Sequence, residues 1–548
     1  MPVCYLTGSG RTSDLRSLVL LALAITAVVR CGSPPQARDT SPLDPIPGGT
    51  LRLIQEAPAG LDPIDSESVY ESLPINQIFD TLVSTDAALN VVPALAETWQ
   101  ISRDGLTYDF RLREDVRFHD GQRFDADDVV FTFERVLREG GVDSLAYPSL
   151  LPIIGATALA RGQSERLEGL VKIDTRTVRF TLVSANPLFL EQLAMDNLAI
   201  VPEHLLAGKD ASAFARSPVG TGPFSFAAWS DANLLLRKHP EYFRGSAHLD
   251  EVQIFFYGDD EDDHGKDRFL RGEIDALEPT TQSLDALTQC PEVDLYRYQE
   301  LSLSFLGLNS SLPPLDQTWL RQAISHAIDR EKMVQASPSV RVHAPGILPP
   351  GIAGYTPDPK GLAYSPDKAR KILADAGHPG GKGVPSITLY DPSIGSKPDA
   401  VTHQVLSDLA AVGIKMELVQ VSWAELGERL DAGTCQAFFL AWIADMSDPD
   451  SFLSGFGEHQ AGDYFHFYDD RTVELLRLAA AEFEPAERGR LYRDAERHIL
   501  GKAPLVPLYH TRGILATHAG VHGLTPGPFG IGRIELEDTW LEPREVTQ

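Results

Sequence analysis

PALAETWQISRDGLTYDFRLREDVRFHDGQRFDADDVVFTFERVL, residues 93–137, carries the local signals from which the fold is read. Asp104-Gly105 marks a turn. From Leu106 to Arg113 the chain alternates: Tyr108, Phe110 and Leu112 lie on one face, Thr107, Asp109 and Arg111 on the other. That is the pattern of a half-buried strand. Asp125 then stands where it can cap a helix, and Val129, Val130, Phe133, Val136 and Leu137 form an apolar stripe at helical spacing. Asp127 and Asp128 fall in the first turn, where the helix dipole favours carboxylates. His119 and Asp120 followed by these acids would also suit a metal, but a turn and an acidic helix start account for the same residues without one.

Outward from this stretch, strands and helices keep alternating, which predicts a mixed α/β architecture. Leu320, Ala323, Ile324, Ala327 and Ile328 repeat the helical spacing. Ser365 is a good N-cap, Pro366 fits the first helical position and Gly377 ends the helix, whose buried face is Ala369, Ile372, Leu373 and Ala376. Ser337 to Tyr364 is rich in Pro and Gly without a period, and reads as a long irregular connection on the surface. The chain has 548 residues, room for several domains. Its net charge of −29 leaves no electrostatic footprint for nucleic acid.

The N-terminus reads as a processing signal. Arg11 and Arg16 precede an apolar run, Leu18 to Val29, too short to span a bilayer and of the right length for a signal peptide over residues 1–30. Cys31 follows at once, and residues 31–47 form a Pro-, Gly- and Ser-rich tether. The arrangement resembles a bacterial lipoprotein signal, in which this cysteine is acylated, although Arg30 stands where a small residue is usual. An ordinary cleavage near Ala27, with Cys31 incidental, is the alternative. Four cysteines are too few for a disulfide framework; Cys290 and Cys435 could pair after export, but far apart and without a spacing signature they read as free.

Catalytic signatures are weak. There is no G-x-S-x-G, H-E-x-x-H or C-x-x-C. AGHPGGKG (376–383) departs from a phosphate loop at Ala376 and Gly383. GDDEDDHGKD (258–267) places Gly265 as a calcium loop would, but Arg271 occupies the position of the bidentate Glu. No catalytic residue, cofactor or metal site is assigned on these grounds.

Segments in a fixed order carry a resemblance. After residues 93–137 come GTGPFSF (220–226), HPEYFRG (239–245), RGEIDAL (271–277), FLGLNSSLPPLDQTWLRQAISHAIDREKMV (305–334), PPGIAGY (349–355), SPDKARKILADAGHPGG (365–381) and AWIADMSDPDSFL (441–453). Together they resemble the family 5 extracellular solute-binding proteins, the peptide-binding receptors of ABC importers, from about residue 48 to the C-terminus.

The resemblance implies an α/β, two-lobed periplasmic-binding-protein clamshell with an extra domain inserted in the first lobe. Lobe I would comprise 48–90, 215–302 and a return over 505–548, the inserted domain 91–214, and lobe II 303–504. It implies a monomeric, non-enzymatic receptor outside the cytoplasm, lipid-anchored through Cys31, that passes a peptide or similar solute to importer permeases. By the same resemblance, Asp445 of the W-x-x-D motif (Trp442 to Asp445) would pair with a peptide's α-amino group, Trp442 would wall the pocket or lie in the core, and Glu67, Ser68 and Val69 would offer main-chain bonds. An Asp445 that merely caps the next turn, and a 67–69 segment that is only a turn before a helix, stay open. Met446 stands where many relatives have Tyr, and no cation is assigned to a ligand carboxylate, Arg341 being only a candidate. An oligosaccharide or metal chelate bound by the same fold, or more remotely an exported hydrolase, are the rival readings.

Overall fold

The computed structural model describes residues 44–66, 68–86, 89–257, 265–358, 363–392, 400–444, 446–457 and 464–543. All but Asp44 belong to one unit, Pro45–Gln548. Residues 1–30, Cys31, most of the tether, Glu67 and Asp445 lie outside the described residues.

Three sheets organise this unit. In the first, β1 (Thr50–Gln55) runs parallel to Glu251–Phe256, next to which lie the antiparallel strands Asn233–Lys238 and Phe224–Trp229. The helix α1 (Val69–Ile78) closes its core through Leu73, Ile75 and Ile78. Leu515, Leu524, Ile534 and Leu536, from the far end of the chain, pack into the same core.

The marker segments GTGPFSF and HPEYFRG have a physical task here. A Cβ on Gly220 would sit 2.0 Å from the Ile78 carbonyl oxygen, and one on Gly222 would sit 2.5 Å from that of Gln77, so only glycine permits this approach. Between them Thr221 Oγ1 donates to Asp80 Oδ2 at 2.7 Å, and Tyr242 Oη donates to Asp80 Oδ1 at 2.8 Å. Arg244 Nε donates to Tyr242 Oη at 2.8 Å. Burial raises the Asp80 carboxyl above its ordinary range, and Arg244 opposes that shift.

The second sheet is antiparallel, in the order Ala96–Ile101, Thr107–Leu112, Thr177–Thr181, Leu170–Asp174. Tyr108, Phe110 and Leu112 are buried, as their alternation predicts. Against them packs α2 (Ala126–Arg135), started by a full capping box: Asp125 accepts from Asp127 N, and Asp128 accepts from Asp125 N. Phe180 meets Phe110 and Phe133 edge-on at 5.6 and 5.1 Å. Arg135 reaches out of this layer to hold both oxygens of Asp62 at 2.8 and 2.6 Å, with both side chains almost wholly buried.

The third sheet contains β2 (Val293–Gln299), β3 (Ser302–Leu308), β4 (Ala437–Ile443) and the 14-residue β5 (Leu505–His518). The first half of β5, Leu505 to Tyr509, pairs with β3, and Arg512 to His518 pairs with β2. Beyond β3 the sheet runs through β4 to the parallel pair Ile387–Asp391 and Met416–Gln420. Two adjacent strand runs, β2–β3 and β5, thus connect the core shared with the first sheet to the layer around β4.

The expected helices Thr318–Ala327 and Pro366–Asp375 are present, the second capped by Ser365. Cys290 and Cys435 are free, and burial pushes the Cys435 thiol up to about 11, which makes it a poor nucleophile.

The stretch from Ser337 corrects a sequence expectation. Its first half is not a surface connection: Arg341–His343 pairs with β5, and Ala344, Ile347, Leu348 and Ile352 are buried, while Pro357, Asp358, Ala363 and Tyr364 are exposed as expected. Its amides find a partner in the helix α3 (Pro485–Lys502), where Glu496 accepts from Ile347 N at 2.6 Å and Leu348 N at 2.9 Å. A buried carboxylate replaces the water that irregular backbone otherwise needs.

Burial raises the Glu496 carboxyl from 4.5 to about 7, against the pull of the two amides. Because the folded state holds this proton more tightly than the unfolded chain, the contribution to stability is fully present below about pH 4.5 and is lost as pH rises through about 7. Glu496→Gln should therefore stabilise the protein by one to a few kcal/mol at pH 8 and have little effect near pH 4.5. Chemical denaturation at the two pH values checks this; equal effects at both would contradict it.

Candidate functional site

The site grows from the end of β4. Trp442, the penultimate residue of the strand, pairs with Leu303 of β3 and is 41% exposed, so it is not a core residue. Ile443 ends the strand and Ala444 is buried just beyond it, next to Asp445.

The turn after Asp445 is held firmly. Arg488 of α3 donates to both oxygens of Asp448, at 2.8 and 2.9 Å, with Arg488 buried and Asp448 nearly so. The same guanidinium reaches the Ala479 carbonyl at 2.5 Å and Tyr492 Oη at 3.1 Å. Tyr492, fully buried, donates to Asp450 Oδ1 at 2.8 Å, and burial raises the Asp450 carboxyl while that bond opposes the shift. Asp448 also accepts from Asp450 N, and Met446 N donates to Ser451 Oγ. A turn locked from several sides positions the residues that lead into it.

The same turn touches the layer of the second sheet. Glu191 Oε1 accepts from Ser447 N at 2.5 Å and from Ser447 Oγ at 2.6 Å. Beside this contact Met446, Leu188 and Met195 bury one another.

Ser68 caps α1: its hydroxyl accepts from Tyr70 N and donates to Glu71, and its carbonyl accepts from Ser72 N and Oγ. Val69 is the first helical residue, and Gly532 lies against it. The turn-before-a-helix reading thus describes the local structure of Ser68 and Val69, with the carbonyl of Ser68 already used. Arg341 is committed to its surroundings: it donates to the Met333 carbonyl at 3.3 Å and lies 4.8 Å over the Tyr509 ring.

Sequence reading missed a group beside α1. Tyr298 Oη donates to Glu278 Oε1 at 2.8 Å, and a Cβ on Gly530 would lie 3.4 Å from Glu300 Oε1 and 3.9 Å from Tyr298 Oη. Glu300 is buried, and loss of solvation raises its carboxyl. Glu278 is exposed, yet the protein around it also raises its carboxyl, and Glu300 adds to the shift. Tyr70, pushed up to about 12 by burial first and then by Glu56, Glu278 and Glu71, ties α1 to the same acidic neighbourhood. Tyr298 and Glu300 are neighbours in the chain, but Tyr70 and Glu278 come from separate segments, and no motif would have signalled the group.

Among the described residues, no group of three or more His, Cys, Asp or Glu is placed to hold a metal ion, and no helix is long and apolar enough to cross a membrane.

An α/β chain of three sheets, in which β2–β3 and β5 run between the core of the first sheet and the layer around β4, is compatible with a solute-binding protein. The profile of the bacterial extracellular solute-binding proteins, family 5, matches residues 90–464, and the chain belongs to that family. It is 30% identical to the heme-binding protein A of Haemophilus influenzae over 87% of this chain and 89% of that protein. It is also 30% identical to the di/tripeptide-binding protein 2 of Pseudomonas aeruginosa, over 95% of this chain and 98% of that one. Among solved structures, a periplasmic binding protein from Helicobacter pylori in complex with the peptide STSA superposes with a TM-score of 0.80 at 26% identity, covering 91% of this chain and 99% of the other. The fold is therefore the two-lobed one of periplasmic binding proteins, as the resemblance implied.

Proposed function

We propose that the protein is an extracytoplasmic receptor that encloses a short peptide between its lobes and delivers it to an ABC importer. The observation that carries this reading is the match, over nine-tenths of the chain, to a binding protein holding a peptide. The boundaries proposed for the lobes are those of the sequence reading, with β2–β3 and β5 as the connections on which they close. Asp445 takes the peptide's ammonium, Trp442 covers it, and Glu67 to Val69 supply main-chain bonds. The name of the Haemophilus influenzae relative keeps a non-peptide ligand as the second reading.

Native mass spectrometry of the mature protein as purified separates the two, because an enclosed ligand survives transfer. Adducts with the masses of short peptides are expected; a single non-peptide adduct would contradict the peptide reading.

We further propose that Cys31 is acylated and tethers the receptor to the membrane as a monomer, since stable anchoring needs two lipid signals and lipoprotein acylation supplies them. Full-length protein made in its own host should enter the detergent phase, and Cys31→Ser should release it. A wild type that stays in the aqueous phase would refute the anchor.

A further inference from the structure

Glu191 lies in Phe189–Gln192, a single helical turn in the layer of the second sheet. Its place is fixed by Phe189, fully buried, whose ring meets Tyr108 at 4.8 Å and Phe180 at 5.5 Å. Ser447 is fixed from the other side by the Asp448–Arg488 pair one residue away. Between these two rigid supports, 256 residues apart in the chain, one carboxylate oxygen receives both an amide and a hydroxyl. Leu188, Met195 and Met446, each 7–8% exposed, seal the contact on its apolar side. Separating the layers would return those three side chains to water and leave the Ser447 amide without its charged acceptor.

We propose that Glu191 and Ser447 form a clasp that holds the closed receptor and positions the turn over Met446 to Asp450. This rests on the capture-by-closure reading above. Glu191 is a positioning residue: it touches the turn, not the ligand. The clasp thereby sets how long a ligand stays. Charge-assisted hydrogen bonds made only in the closed form act on escape more than on encounter.

The test uses the mature protein, a defined mixture of di- and tripeptides and the tightest-binding peptide in it. Association and dissociation rates are measured by stopped flow, the bound-state radius by X-ray scattering, and the melting temperature without ligand. Glu191→Ala should release the peptide about tenfold to a hundredfold faster, with association changed by less than about threefold. Its bound-state radius should exceed that of wild type, and its ligand-free melting temperature should be unchanged. Glu191→Gln, which keeps an acceptor without the charge, should fall between the two. Ser447→Ala, which keeps the amide bond, should be milder, and the double variant should be no worse than Glu191→Ala. If wild type closes on the peptide and Glu191→Ala releases it at the same rate, the clasp is overturned and the capture reading stands. If wild type binds none of the peptides, or binds without closing, the capture reading fails and the clasp falls with it.

Discussion

Arg488→Ala should lower the unfolding free energy by about 3–5 kcal/mol, because it leaves Asp448 buried and unpaired. Both side chains are close to fully enclosed, at 7% and 11% exposure, so water can replace little of what the guanidinium supplies. The change also removes one of the hydrogen bonds made by Tyr492 Oη and by the Ala479 carbonyl, each of which accepts from Arg488. Arg488→Met combined with Asp448→Asn should be considerably milder than Arg488→Ala, since no lone charge is left inside. Denaturant titration of wild type, Arg488→Ala and the double variant decides the matter. An Arg488→Ala protein within about 0.5 kcal/mol of wild type, the range of ordinary surface substitutions, would mean that the pair does not hold the turn.

Asp445→Asn should weaken peptide binding by about tenfold to a thousandfold, corresponding to the ~1.5–4 kcal/mol of a charge-assisted bond enclosed with its partner. The substitution keeps the shape and removes the charge. On the proposed reading, in which the ligand-free cleft leaves this carboxylate to water, stability without ligand should hardly change. Acetylating the peptide's amino group should mimic the mutation, and the two losses should not add, because they remove the same interaction. Calorimetric titration of the four combinations is the check. Equal affinity of wild type for free and acetylated peptide would show that Asp445 is not an amine anchor.

Local chemistry was legible where a local signal existed. The alternation around Tyr108, the cap at Asp125 and the Ser365-Pro366 helix start are written within a few residues of where they act, and all appear as expected. The order of the marker segments pointed to the family, and the structure supplies their reason: Gly220, Thr221, Gly222 and Tyr242 dock on Ile78 and Asp80.

Contacts across long separations left no such trace. Ile347 and Leu348 looked like surface because prolines and glycines erase periodicity, yet Glu496, 149 and 148 residues away, accepts their amides. Arg488 and Glu191 carry no motif, and only the folded chain brings them to the Ser447-Asp448 turn. At the site itself, the W-x-x-D spacing singled out Trp442 without deciding between core and cleft, and its exposure answers the first half of that question.

The central claim is that ligand capture is closure of two lobes. X-ray scattering during a peptide titration tests it most directly. The radius of gyration should fall and saturate at the same peptide concentration as the calorimetric isotherm, and the melting temperature should rise with it, by the equivalent of about 2.7 kcal/mol at a hundredfold excess over Kd. Tight calorimetric binding with an unchanged radius throughout would contradict the account.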